Sequence, residues 1–301
     1  MSTVPQYSDP LDEPLAETAA MARQWAMQDC PRDATGSSCT SYHGLWQYLR
    51  LMKLGKTLGG HAGQYFQAMA HVSGQWDEQP GTAPRRILIS GCADYSMLAH
   101  VLHVFQRAGS PIQITVLDRC PTPLKLNGWY AQRAGTSVEL VCSDILQHQP
   151  GDGYDLIVTS SFLGYFKPET RPGLFERYAD MLRSGGRLIF SNRLRPDPET
   201  IQVEFTDAQS EAFATKVTQL SDHLPVTAPL SQADAYKTAL AYAANLRTFP
   251  VNAAETIQHL AASVGLRWMS GSQVTGGAPQ PEISGPTLAD GSDYLFVVLE
   301  K

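Results

Sequence analysis

Two aspartates follow predicted strands of this chain at positions where a ligand could be held. Asp118 ends the run "IQITVLD", and Asp144, with Ile145 beside it, comes directly after the run "VELVC". A carboxylate at the first position can accept hydrogen bonds from both hydroxyls of a ribose. The acid at the second position can bind the exocyclic amine of a purine whose face meets the isoleucine. Each aspartate alone also fits an ordinary turn residue, but together they predict an adenosine-type ligand.

These residues sit in an alternation of strand-like and helical patterns that begins at Ile87. The alternation predicts an α/β protein with a mostly parallel sheet covered by helices on both faces. The strand-like runs cover residues 86–90, 112–118, 138–142, 154–160, 186–191, 265–270 and 293–300, with a glycine- and proline-rich loop before the last. In such sheets ligands bind beyond the carboxyl ends of the strands, so Asp118 and Asp144 should share one edge.

The stretch "RRILISGCADYSM", residues 85–97, leads from a strand through Gly91 into a helix. A turn that binds a dinucleotide carries further glycines, so that the backbone can approach a pyrophosphate. Here Ala93 and Tyr95 follow Gly91 instead. The turn therefore favours a ligand without phosphates, and a nicotinamide-dependent oxidoreductase is kept as the alternative.

Two helical additions flank this core. Residues 1–80 are predicted to form an amino-terminal cap, with a helix that Ser41 caps and Gly55 ends. Residues 81–301 form the ligand-binding domain, within which residues 196–250 are a helical insertion that offers a surface for a homodimer.

Composition excludes several partners. The formal net charge of −6 provides no basic surface for nucleic acid or an anionic membrane. No apolar run has the length of a membrane span, and the amino terminus lacks a signal-peptide pattern, so we expect a cytoplasmic protein. The five cysteines include no CxxC pair, which indicates neither a disulfide framework nor a metal site.

With these features the chain resembles the class I S-adenosylmethionine-dependent methyltransferases. The resemblance covers residues 85–301 and includes the strands "YDLIVTS" and "MLRSGGRLIFS". It implies a Rossmann-like sheet of seven strands with the last strand reversed, and an enzyme that uses S-adenosylmethionine. Ile89 stands where the family usually has an acidic residue. The implied cofactor-binding residues are Gly91, Cys92, Ala93, Tyr95, Asp118, Arg119, Asp144, Ile145 and Ser160.

The acceptor side is predicted from the amino-terminal helix and the segment after the fourth strand. Tyr42, Trp46 and Arg50 recur every four residues, so they share a helix face that could lid the site or simply pack. Aromatic rings would then face a cation, and Arg50 would pair with a carboxylate. The predicted acceptor-binding residues are Tyr42, Trp46, Arg50, Ser161, Phe162 and Tyr165.

These residues predict a methyltransferase for a small metabolite that bears a carboxylate, such as an amino acid. No histidine follows the fourth strand, which favours transfer to sulfur or nitrogen over oxygen and allows a methionine-type thioether. Where a base is needed, His43 is the first candidate. A protein that binds S-adenosylmethionine without catalysis is the other alternative.

Overall fold

In the described part of the chain, seven strands form one sheet in the order β3-β2-β1-β4-β5-β7-β6. The computed structural model describes residues 11, 13–32, 38–78, 83–108, 111–195, 197, 199–275 and 293–301. The strands are β1 (Arg85–Ser90), β2 (Ile112–Asp118), β3 (Glu139–Cys142), β4 (Tyr154–Ser160), β5 (Leu182–Leu194), β6 (Arg267–Thr275) and β7 (Asp293–Glu300). In the described residues β7 runs antiparallel to both of its neighbours, β5 and β6, so the predicted seven strands and reversed last strand are confirmed.

The helices in the described residues are α1 (Leu15–Asp29), α2 (Thr40–Leu51), α3 (Ala62–Glu78), α4 (Ser96–Ala108), α5 (Pro121–Arg133), α6 (Arg171–Met181), α7 (Asp207–Ser221), α8 (Gln232–Asn245) and α9 (Ala254–Ser263). None of the described helices is long and apolar enough to cross a membrane. The predicted boundary at residue 80 and the loop over residues 276–292 lie outside the described residues.

The two faces of the sheet bury alternate residues of each strand. On one face, Ile87 and Ile89 of β1 pack beneath α3, α4 and α5. On the other face, Leu88 packs with side chains of α6 and α9. Because α3 belongs to the core of the sheet, only α1 and α2 of the amino-terminal region form a layer apart from it.

The predicted insertion over residues 196–250 contributes α7 and α8. Thr206 and Gln209 form a capping box at the start of α7, and Ser231 caps α8 by accepting from the backbone of Asp234. Both helices pack against α2, where Leu45 and Tyr48 are buried with Phe213. We call this unit of α1, α2, α7 and α8 the helical cap.

The predicted limits of α2 were wrong. The helix begins at Thr40 after Cys39, so Ser41 lies inside its first turn and does not cap it. The helix ends at Leu51, and Lys53, with φ of 60°, reverses the chain before Gly55 is reached. The backbone amide of Gly55 then donates to the carbonyl of Leu49, a bond that closes the helix end.

Candidate active site

Gly91 directly follows β1 at the carboxyl edge of the sheet, and its backbone and surroundings both require glycine. Its φ of 66° is in the left-handed region, which side chains with a Cβ rarely adopt. A Cβ at this position would lie 2.5 Å from the ring of Phe162, which follows β4. The predicted cofactor residue Gly91 and the predicted acceptor residue Phe162 are therefore in direct contact.

Asp118 joins this turn to the start of α5. Its Oδ2 accepts from the backbone amide of Cys92 at 2.9 Å, and its Oδ1 accepts from that of Cys120 at 2.8 Å. Burial raises the pKa of Asp118, while His43 and these two amides oppose the shift. Each carboxylate oxygen retains a second lone pair, so the group can still accept hydrogen bonds from a ribose.

The predicted purine-binding residues after β3 have structural roles in this conformation. Asp144 accepts from the backbone amide of Leu146 at 3.0 Å, as a turn residue does. Arg119 is 78% exposed and lies 3.7 Å from the Asp144 carboxylate. Ile145 is only 1% exposed and belongs to the main core, so it offers no open apolar wall here.

Arg50 is buried and bonded to carboxylates of its own chain. Its guanidinium donates to Asp94 at 2.7 Å and to Ser96 at 2.6 Å, and it also pairs with Glu13. Burial alone would raise the pKa of Asp94, but the positive charge of Arg50 outweighs this effect and the pKa is lowered. For Glu13 the effect of burial is the larger one, and its pKa is raised. Asp94, a turn residue that no sequence pattern singled out, is thus an ionised partner that holds α2 against the Gly91 turn.

Asp94 also occupies the amino terminus of α4. Its Oδ1 accepts from the backbone amide of Ser96 at 2.9 Å and from the hydroxyl of Ser96 at 2.6 Å. Asp94 is 3% exposed. The helix terminus that would bind a phosphate group in a dinucleotide site already carries a buried negative charge.

His43 lies on the Asp118 side of the site. Burial lowers the pKa of His43, but the thiol of Cys120 and the Asp118 carboxylate outweigh it, so the pKa is raised. The backbone of Ala93 contributes to the same shift, which places the imidazole beside the Gly91 turn. The structure therefore groups His43 with the predicted cofactor residues.

Tyr95 is fully buried and packs α1 and α5. Its ring stacks on Tyr130 with centroids 4.8 Å apart, and its hydroxyl is 3.0 Å from that of Thr18. Thr18 in turn donates to Gln47 of α2 at 2.8 Å. The Tyr95 side chain thus links the turn to the helical cap, and its position provides no contact surface for a cofactor.

The acceptor side is organised around the ends of β4 and β5. Ser160 lies 3.4 Å from Ser191, hydroxyl to hydroxyl, and Ser161 follows with a strained φ of 53°. The hydroxyl of Tyr65 donates to the carbonyl of Thr159 and accepts from the backbone amide of Ser191 at 2.7 Å. Burial raises the pKa of Tyr65 to about 12, so this hydroxyl is neutral at physiological pH.

Tyr42 is the centre of an aromatic wall supplied by the helical cap. Its ring stacks on Trp46 at 5.9 Å and on Tyr242 of α8 at 5.8 Å, and it meets the edge of Tyr165 at 6.4 Å. The predicted face of α2 therefore reaches the segment after β4. Tyr242 comes from the insertion, so both additions to the sheet build this wall.

A second group of polar and aromatic side chains surrounds Gly59, which has a φ of 66°. A Cβ there would lie 3.3 Å from the ring of Tyr294 and 3.5 Å from both the His61 ring and the Ser161 hydroxyl. His61 is 3% exposed, and neither ring nitrogen has a hydrogen-bond partner among the described residues. Arg193 donates to the Tyr294 hydroxyl at 3.2 Å.

The sequence selected none of Tyr65, His61 or Tyr294, because each lies outside the runs that follow the predicted strands. The only available signal was the paired glycines at 59 and 60, which mark a tight turn before α3.

A cleft of about 450 Å³ opens at the opposite edge of the sheet, lined by residues such as Gly153, Ser184 and Lys301. None of the predicted site residues lines it.

No protein-family model and no curated protein matches the chain. Among solved structures, it is similar to 1,6-didemethyltoxoflavin-N1-methyltransferase of Burkholderia thailandensis, at 16% identity over 98% of this chain and 93% of that one, with a TM-score of 0.47. It is also similar to magnesium protoporphyrin IX methyltransferase of Synechocystis PCC 6803, at 12% identity over 87% and 96%, with a TM-score of 0.48. A third similar structure is N-methyltransferase NodS of Bradyrhizobium japonicum WM9, at 16% identity over 85% of this chain and 97% of that one, with a TM-score of 0.45.

The strand order and the single reversed strand of the chain itself define the class I methyltransferase fold that the sequence resembles.

The contact between Gly91 and Phe162 predicts the cost of adding a methyl group. Gly91→Ala should lower the free energy of unfolding by about 3 kcal/mol, because it combines left-handed strain with displacement of the ring. Gly135→Ala is the matched control, since Gly135 has φ of 65° and open space around its Cβ position. The control should lose only about 1 kcal/mol in denaturant unfolding. Equal losses of unfolding free energy in the two variants would contradict the contact between Gly91 and the Phe162 ring.

Proposed function

We propose that this protein is an S-adenosylmethionine-dependent methyltransferase with a small-molecule acceptor. The observation that carries the proposal is the Gly91 turn, which pairs an obligatory glycine with the buried carboxylate of Asp94 at the start of α4. A pyrophosphate would need the backbone amide of Ser96 at the start of α4, which already donates to Asp94, whereas S-adenosylmethionine has no phosphate and carries a positive sulfonium. The turn therefore fits the methyl donor and opposes a nicotinamide dinucleotide.

The residues at the carboxyl edge fit S-adenosylmethionine without a metal or a second cofactor. Asp118 would accept hydrogen bonds from the ribose, and Gly91 would let the backbone approach the methionine part. Asp144 would accept a hydrogen bond from the exocyclic amine of the adenine. The bound cofactor supplies an electrophilic methyl group, and the protein aligns the acceptor with it and excludes water.

Arg50 would bind the carboxylate of the cofactor in exchange for Glu13. Asp94 is anchored to the turn by Ser96, but Glu13 precedes α1 and reaches Arg50 from the amino-terminal segment. A bidentate guanidinium can exchange one carboxylate partner for another with little change in its own geometry. Glu13 is thus a competitor for the position of the cofactor carboxylate.

The acceptor would lie between the aromatic wall of Tyr42 and the ends of β4 and β5. Aromatic faces suit an acceptor with a cationic amine, and Arg193 beside Tyr294 supplies positive charge for a carboxylate. This combination supports an amino acid or a related amino carboxylate as the acceptor.

His61 supports nitrogen as the methylated atom. Its buried imidazole stands close to Ser161 and Tyr294, and burial lowers its pKa below the ordinary value of 6.5. A neutral imidazole can take the proton that an ammonium group must lose before it attacks a methyl group. His43, the base expected from the sequence, lies beside Asp118 and Cys120 instead.

Opposite effects on cofactor affinity are expected from two substitutions. Arg50→Met should weaken binding of S-adenosylhomocysteine by about tenfold or more, because it removes the partner of the carboxylate. Glu13→Gln should strengthen that binding, because a competitor loses its charge. Titration calorimetry measures both, with Glu17→Gln, an exposed acid of α1, as the control. Weaker binding in Glu13→Gln would refute the exchange.

The pH dependence of kcat should follow the protonation of the His61 imidazole. Because its pKa is lowered, the imidazole stays neutral at pH 7, and kcat should fall only as acidification passes below that pKa. His61→Asn should lower kcat by about 100-fold and abolish this acid limb. His71→Asn, on the exposed side of α3, is the control. An unchanged kcat in His61→Asn would remove this residue from the reaction.

The activity itself is tested by incubating the protein with methyl-labelled S-adenosylmethionine and separate sets of amino acids, other amines and thioethers. We expect label to pass to an amino carboxylate as S-adenosylhomocysteine accumulates. Tight cofactor binding without transfer to any set would favour the non-catalytic alternative.

A further inference from the structure

Three cysteine thiols converge where the helical cap meets the sheet. Cys30 ends α1, Cys39 precedes α2, and Cys120 precedes α5. Their sulfur atoms all lie within 4.8 Å of one another, and those of Cys30 and Cys120 are 3.4 Å apart. No other group of this kind is found in the described part of the chain.

The spacing of the sulfurs suits a metal ion. Ligands placed tetrahedrally around Zn²⁺ at about 2.3 Å lie roughly 3.8 Å from one another. A disulfide joins two sulfurs at about 2.05 Å and leaves the third without a role. Three mutually close thiols, drawn from three separate elements, match one face of a zinc tetrahedron.

The backbone around the cluster favours thiolates. Cys39 and Cys120 stand at the amino termini of α2 and α5, where the helix dipole stabilises negative charge. The two helix termini therefore favour the charged form that a sulfur ligand takes when it binds a thiophilic cation.

His43 can complete the coordination. It follows Cys39 by four residues on α2, so the two side chains emerge on the same face of the helix. The ring is 6% exposed, lies beside the Cys120 thiol, and its Nδ1 has no hydrogen-bond partner among the described residues. The ring nitrogens lie outside the group of atoms within 4.8 Å of one another, so His43 would become the fourth ligand through a side-chain adjustment towards the three sulfurs.

We propose that Cys30, Cys39, Cys120 and His43 form a Cys₃His site for Zn²⁺ that fastens the helical cap to the cofactor edge of the sheet. Binding replaces three thiol protons, which pass to solvent, and leaves the imidazole neutral. Cys120 and Asp118 are two residues apart, so the ion would hold α1 and α2 against the edge that Asp118 defines. The site is independent of the proposed methyl transfer.

Zinc binding is tested on the full chain, purified in reducing buffer and stripped of metal with a chelator. Titration with Zn²⁺ alone should show one ion per chain, and Co²⁺ should give the absorption of a tetrahedral thiolate complex. Cys30→Ser, Cys39→Ser, Cys120→Ser and His43→Asn should each weaken the affinity by at least about 100-fold. Cys142→Ser, at an exposed thiol outside the cluster, should match the unmodified protein.

Thiol alkylation of the unmodified protein keeps the test valid should these variants fail to fold. Zn²⁺ should protect Cys30 and Cys39 from a maleimide, while Cys142 reacts equally with and without the ion. Equal labelling in both conditions, absence of a bound ion, or a Cys30–Cys120 disulfide recovered from reducing buffer would each overturn the proposal.

Discussion

The buried ion pair between Arg50 and Asp94 determines how the additions of this chain meet its sheet. Both side chains are only 3% exposed, and their closest atoms are 2.7 Å apart. Removing one partner of such a pair leaves an uncompensated charge in the interior, at a cost of about 3–5 kcal/mol. Since Asp94 belongs to the Gly91 turn and Arg50 to the last turn of α2, the turn and the helical cap hold each other in place.

Two consequences for the site follow from that pair. With α2 fixed, its opposite face packs on α7 and α8 through Leu45 and Tyr48, which brings Tyr242 of the insertion onto Tyr42. The aromatic wall is therefore built by two segments that are distant in the chain. The second consequence is electrostatic, because Arg50 keeps Asp94 ionised at the start of α4 and so determines which cofactor charge the turn accepts.

The sheet and its cofactor edge could be predicted because they depend on local pattern. Apolar runs identify strands, and the residue at the end of a parallel strand lies at the carboxyl edge of the sheet, so the position of Asp118 at that edge could be predicted. The roles of Asp94 and Tyr65 depend on contacts with elements that are distant in the chain. Hydrophobic periodicity carries no information about such contacts. Tyr95 and Ile145 were selected by position, but tertiary packing buries both.

The proposed function requires the Gly91 turn to accept an adenosyl sulfonium cofactor and to oppose a dinucleotide. Equilibrium titration of the full chain with S-adenosylhomocysteine, NADH and NADPH, each alone under the same conditions, tests it most directly. We predict saturable binding of S-adenosylhomocysteine at one site per chain and no binding of either dinucleotide. Saturable binding of NADH or NADPH without binding of S-adenosylhomocysteine would show that the turn accepts a dinucleotide instead.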